Sequence, residues 1–175
     1  MKPQVLFRKI HHWGSFIIAI PSLIIIGAGI LLMLKKDVEW LQPSTIQGSV
    51  TTTVPTATMQ QMFDAVTKVQ EAGITHWTDL DRVDFKNDKG VAKFIATNNW
   101  EVQVDTTTAK VLGVAYRRSD IIEQIHDGSF FADWAKLGLF LPSGIVLFVL
   151  WLTGMYLFFL PHYKNWQKSR KKNQK

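Results

Sequence analysis

Five histidines, His11, His12, His76, His126 and His162, are the residues best suited to chemistry in this sequence. A neutral imidazole nitrogen is a common metal ligand. His11 and His12 are adjacent, so on a helix they point about 100° apart and both cannot face one metal. His76 lies beside Trp77 in a loop-like stretch and reads as an ordinary polar residue. Four aspartates, Asp79, Asp81, Asp84 and Asp88, offer oxygens, but the Gly and Glu that an EF-hand loop needs at fixed offsets are missing. They fit a solvated strand face. The patterns G-x-S-x-G, H-E-x-x-H and S-x-x-K are absent, as is a Gly-rich phosphate loop. Without cysteine there is no disulfide framework, thiolate zinc cage, iron–sulfur cluster or CxxC pair. Nothing here marks an autonomous enzyme.

The elements that must position these residues are set by two apolar stretches. Residues 13–34 and 137–161 carry no charge over 22 and 25 positions of the 175. At about 1.5 Å per residue, each is long enough for a hydrocarbon core of about 30 Å. A soluble single-domain protein is thereby excluded. Pro21 lies in the first stretch, where a kink is expected, and Pro142 in the second; Gly27, Gly29 and Gly154 permit close helix approach. No charge inside either stretch argues against an ion pathway. The first stretch is too long for a signal-peptide core and no A-x-A site follows, which favours an uncleaved anchor.

Charge sets the expected topology. The first twelve residues hold Lys2, Arg8 and Lys9 and no acid; residues 162–175 hold six basic residues and no acid. Residues 35–136 hold 11 basic and 14 acidic residues, so the flanks carry nine positive charges, the middle a net −3, and the chain +6. The positive-inside rule places residues 1–12 and 162–175 in the cytoplasm and 35–136 outside, with Lys35 and Lys36 opposing it. The basic tail is explained by topology and headgroup contact, not by nucleic acid. Trp13, Trp134, Tyr163 and Trp166 fit interfacial positions. Two helices bury little, so a homodimer of four helices is a natural partner arrangement in the bilayer.

The middle segment is enough for one small core. A linker-like stretch runs to Ala57. Thr58 with Gln61 makes a capping-box pattern, Met59, Met62, Phe63, Val66 and Val69 repeat at helical spacing, and Gly73 is the expected stop. Strands are expected over Leu80–Lys86, Val91–Thr97, Trp100–Val104 and Val111–Tyr116, with Trp100, Val102 and Val104 on one face and Glu101 and Gln103 on the other. Ser119 is the expected cap of a short helix. One helix on an antiparallel meander is an α+β layer.

Three stretches make the chain resemble the PepSY-associated transmembrane family, bacterial inner-membrane proteins with a periplasmic PepSY domain between helices. RKIHHWGSF resembles the family's opening, where a His precedes Trp and Gly. WEVQVDTTTAKVLGV resembles the PepSY hairpin, with Ala109 where the family often has Gly. IHDGSFFADWAKL and LWLTGMYLF resemble the closing His-x-Gly segment and Thr-Gly helix. The resemblance implies a membrane α+β protein: two transmembrane helices, 13–34 and 137–161, flanking a periplasmic PepSY-like helix-plus-antiparallel-sheet domain.

Two functions follow from the resemblance. Isolated PepSY domains resemble inhibitory modules for peptidases, which implies an accessory or regulatory module binding a periplasmic or membrane protein partner. An open sheet edge with Trp100 and Tyr116 is the expected contact. Alternatively, larger relatives resemble siderophore-linked ferric reductases that hold b-type haem through membrane histidines. His12 and His126 fall on the family's His positions, and His12 with His162 could form an axial pair on one leaflet, within one chain or across a dimer. An enzyme on this reading would be a haem-dependent iron reductase in iron uptake. The departure is that this chain has only two spans.

Overall fold

The computed structural model describes residues 3–49 and 56–172. It divides into two units: one holds the described residues up to Gly29 together with those from Gln124 onward, the other is Ile30–Glu123.

The first apolar stretch, where a kink is expected, is covered by the end of α1 (Pro3–Ile17) and by α2 (Ala19–Met33), the latter in the first unit up to Gly29. They are bent by 70° at Ile18. Pro21 explains the break. Its ring would strike the carbonyl of Ile17, four residues back, and it has no N–H to give. As the third residue of α2 it occupies the first helical turn, where a missing N–H costs little. The second stretch is unbroken: α5 (Leu141–Lys172) follows a π-helical turn at Lys136–Phe140 and carries Pro161 inside it. Lys136–Gln167 is long and apolar enough to cross a membrane, and α1 with α2 is so only as a bent pair. Ile20 and Leu23 on α2 and Phe148 and Trp151 on α5 are all more than half exposed. Such rows of exposed large apolar side chains suit lipid rather than water.

Helix α1 packs antiparallel on α5. The Phe7 ring meets Tyr156 edge-on at 4.8 Å, His11 faces Thr153, and a Cβ on Gly14 would lie 3.1 Å from Leu150. The facing residue numbers fall as those of α1 rise, so residue 12 lies level with about residue 152.

The second unit is the expected layer. Its helix α3 (Met59–Val66) opens on the Thr58–Gln61 capping box, both bonds present, and buries Met62, Phe63 and Val66. Met59, on the first turn, is 39% exposed and falls outside the core. The helix ends at Thr67, and Gly73 with φ +63° closes the short turn Gln70–Ala72 instead. The strands β1 (Leu80–Lys86), β2 (Val91–Ala96), β3 (Trp100–Asp105) and β4 (Val111–Tyr116) form an antiparallel meander in the order β1-β2-β3-β4. One face presents Ala92, Phe94, Val102 and Val104 to α3. The connection Asp105–Lys110 keeps Ala109 at φ +56°, so alanine holds the left-handed position without glycine's freedom. Helix α4 (Arg118–Asp127) starts one residue before Ser119. Ser119 is buried in its first turn, where its hydroxyl donates to Asp120, so it does not cap the helix.

The other sheet face departs from the expected half-buried strand. Glu101, Gln103, Asp105 and Lys93 are buried, at 3% exposure or less. The segment read as a linker lies across them. Ile46 N donates to Gln103 Oε1 at 2.8 Å, Gln103 Nε2 donates to Ser44 O at 2.8 Å, and Ser49 N donates to Asp105 Oδ2 at 2.7 Å. Polar alternation alone looks like a wet face; here Gln103 and Asp105 bond to that crossing segment, and Lys93 pairs with Glu101 on the sheet itself.

Candidate functional site

Each candidate site is built from the residues of a single unit. In the first unit His126 is on the last turn of α4. Its Nδ1 lies 2.9 Å from Ile25 O on α2. A carbonyl only accepts, so Nδ1 carries the proton and the neutral ring's lone pair sits on Nε2. A backbone carbonyl on the far nitrogen is the usual way of orienting a ligating imidazole. Gly29 leaves the room: a Cβ there would come within 3.3 Å of His126 Cε1.

His126 lines a cavity of about 530 Å³ with Ile25, Phe140, Leu141, Ile145 and Phe148. The segment after it is shaped to let that wall form. Asp127 accepts from Ser129 N at 2.9 Å and pairs with Lys136 Nζ at 2.6 Å. Burial raises its carboxyl, but the bonds from Lys136 and Ser129 outweigh that and hold it at about 2. Gly128 has φ +86°, and a Cβ there would lie 2.3 Å from Phe140 Cδ2. The His-Asp-Gly run thus orients a ring, fixes a turn and admits an aromatic side chain.

The other expected ligands stand apart. His12 is exposed, its ring edge-on to Trp13. His162 is exposed beside Phe158. With residue 12 level with about residue 152, His12 and His162 are roughly ten residues apart along α5, about 15 Å, so one chain does not bring them to one iron. His11 is the inward imidazole of the pair. Its Nδ1 is 3.4 Å from Thr153 Oγ1, whose own proton is directed at Val149 O and Leu150 O. The spacing Phe7, His11, Gly14, Ile18 carries that signal, because i, i+4, i+7 and i+11 share a helix face. His76 is exposed in its turn, where Asp79 Oδ2 accepts from the backbone of Thr75 and His76 at 2.8 Å each.

In the second unit Trp100 and Tyr116 are directly paired across β3 and β4, with ring centroids 5.7 Å apart. Arg118 lies over Tyr116 and over Trp40, 5.6 and 4.7 Å from the ring centroids. Both strand residues are half-buried, and β4 pairs only with β3 among the described residues.

The polar face of the sheet holds a charged network that the sequence reading did not find. Glu101, fully buried, takes Lys93 Nζ at 2.9 Å on Oε1 and Arg117 Nη1 on Oε2. Arg117 continues to Asp120 at 3.0 Å, and Arg82 reaches Asp120 at 3.3 Å. Burial raises the Asp120 carboxyl, but Arg117, Ser119 and Arg82 outweigh it and hold it below the usual carboxylate range.

A family model described as PepSY-associated TM region matches residues 8–175. The chain belongs to that family. No curated protein and no solved structure matches it. Family membership and the exposed apolar helix together make this a membrane-associated PepSY protein.

Proposed function

We propose that this PepSY-family chain is a bacterial inner-membrane protein, with both termini cytoplasmic, whose sheet domain faces the periplasm and acts as an accessory or regulatory binding module. The observation that carries it is the outer strand β4, paired on one side only among the described residues and ending in the Tyr116–Trp100 pair. An edge of this kind accepts a partner strand through main-chain hydrogen bonds, with the flanking aromatics supplying side-chain contact. The asymmetric flank charges support the orientation. The test is recovery of a partner from solubilised membranes by the tagged full chain. Trp100→Ala and Tyr116→Ala each reduce recovery, and Val111→Pro, on the edge strand, abolishes it. Equal recovery by all variants, or no partner at all, removes the proposal.

A second function is favoured by His126: b-type haem held in the membrane for electron transfer, as an iron reductase would require. The donor set fits in part. An imidazole with its free nitrogen on a large apolar cavity is a suitable axial ligand, and the group would supply one-electron chemistry when bound. No second described histidine shares that cavity, so any further histidine holding the group would come from another chain, as in a homodimer. Full-length protein expressed with haem supplied shows a Soret band on this proposal. His126→Ala loses it, whereas His12→Ala and His162→Ala retain it. A colourless preparation removes the haem function.

A further inference from the structure

The sheet domain has a second cavity, of about 390 Å³, whose wall is cationic. Lys35, Lys36, Lys86, Lys89, Lys93 and Arg117 line it, against the single carboxylate of Asp84. These cations come from four places: the start of the segment after α2, strand β1, the turn after β1, and the sheet's polar face with its exit. Like charges gathered from such separated positions repel unless something neutralises them.

The protein neutralises only part of the set. Lys93 and Arg117 share Glu101, Arg117 also takes Asp120, and Lys35 Nζ is 3.8 Å from Glu123. Lys36, Lys86 and Lys89 enter no ion pair among the described residues. Lys89 Nζ reaches only Thr45 O, at 3.5 Å. The cavity also borders an orphaned polar atom: Gln42 Oε1 is buried without a hydrogen-bond partner. A protonated oxygen of a ligand would satisfy it, and with the amide turned over its N–H would meet an anionic oxygen.

We propose that this cavity binds a phosphate group through Lys36, Lys86 and Lys89, with Gln42 completing the contact and the buried Lys93–Glu101–Arg117 network holding the floor rigid. Two sources share this chemistry. Lys35 and Lys36 follow the apolar helix α2 by two and three residues, so the phosphate of an anionic lipid is within reach of the cavity. A soluble phosphate ion or ester is the other source. On the topology proposed above, these two lysines stand where flanking charge is disfavoured, and a phosphate partner gives them a reason to be there.

The experiment uses the full chain in two arms. In one, native mass spectrometry counts phosphatidylglycerol retained by protein purified in mild detergent. In the other, inorganic phosphate is titrated calorimetrically into protein in phosphatidylcholine nanodiscs. The double variant Lys36→Ala with Lys86→Ala removes two exposed cations without touching the buried network. At about a factor of five per lysine it weakens binding roughly thirtyfold. Lys68→Ala with Lys110→Ala, an equal charge loss at exposed sites away from the cavity, changes it less than about twofold. Retention of phosphatidylglycerol alone assigns a lipid headgroup, and phosphate binding in the neutral nanodisc assigns a soluble ligand. Equal weakening by both double variants, or no binding of either probe, overturns the proposal. Neither arm depends on the β4 partner or on haem.

Discussion

Replacing Asp105 with asparagine tests whether the segment Leu41–Ser49 is structurally part of the sheet domain. Asp105 is 2% exposed. Its Oδ1 accepts from Thr107 N at 2.8 Å and Thr108 N at 2.9 Å, and its Oδ2 from Ser49 N at 2.7 Å. Burial raises the carboxyl, but the three backbone donors outweigh it and set it at about 2, from 3.8. That depression corresponds to about 2 kcal/mol. The folded-state value is depressed, so the contribution is fully present above the unfolded value and fades as pH falls from about 4 to about 2. Asparagine can keep the Oδ1 contacts, but its amide would point a donor at the Ser49 donor. Urea unfolding of the full chain in detergent, followed by tryptophan fluorescence, reads the outcome. Asp105→Asn lowers stability by about 2 kcal/mol at pH 7, and between pH 5 and pH 2 the parent loses about 2 kcal/mol that the variant does not. The other carboxylates titrate equally in both proteins and cancel. A parent-to-variant gap that is the same at pH 7 and pH 2 refutes the reasoning.

Ala109→Gly raises stability by about 0.5–1 kcal/mol in the same assay, because the site already holds φ +56°. Glu101→Gln, which leaves Lys93 and Arg117 buried without their shared carboxylate, costs about 3 kcal/mol or more. Gly128→Ala forces a Cβ into the Phe140 ring at a positive φ, and thermal unfolding of the full chain in detergent shows a loss of at least about 2 kcal/mol. Thr58→Ala removes the capping box and costs about 1 kcal/mol, read as a lower urea midpoint with an unchanged slope.

Local rules carried the elements whose partners are near in sequence. The Thr58–Gln61 box, the Met62–Phe63–Val66 stripe and the strand–turn–strand order need only short-range chemistry, and the structure has them all. Local rules failed where distant chain decides. Glu101 and Gln103 alternate with valines and look wet, because nothing in their neighbourhood announces that Arg117 closes on Glu101 or that residues 44–46 return to Gln103. The same distance hid the cationic cavity, whose lysines lie up to about sixty positions apart. For the histidines the deciding quantity is angular: adjacent His11 and His12 differ by about 100°, and it is His11 that turns towards Thr153.

By itself the sequence determined the two apolar stretches, the basic flanks, the layered domain between them and the family. Composition and short periods suffice for these, since hydrocarbon length, charge bias and amphipathic repeats are written residue by residue. Tertiary structure alone decided that the first stretch breaks by 70° at Ile18, that Ile25 O fixes the tautomer of His126, and which lysines share a cavity. Each of these depends on an angle or a contact between segments far apart in the chain, and residue type constrains such contacts only after the backbone has brought the segments together.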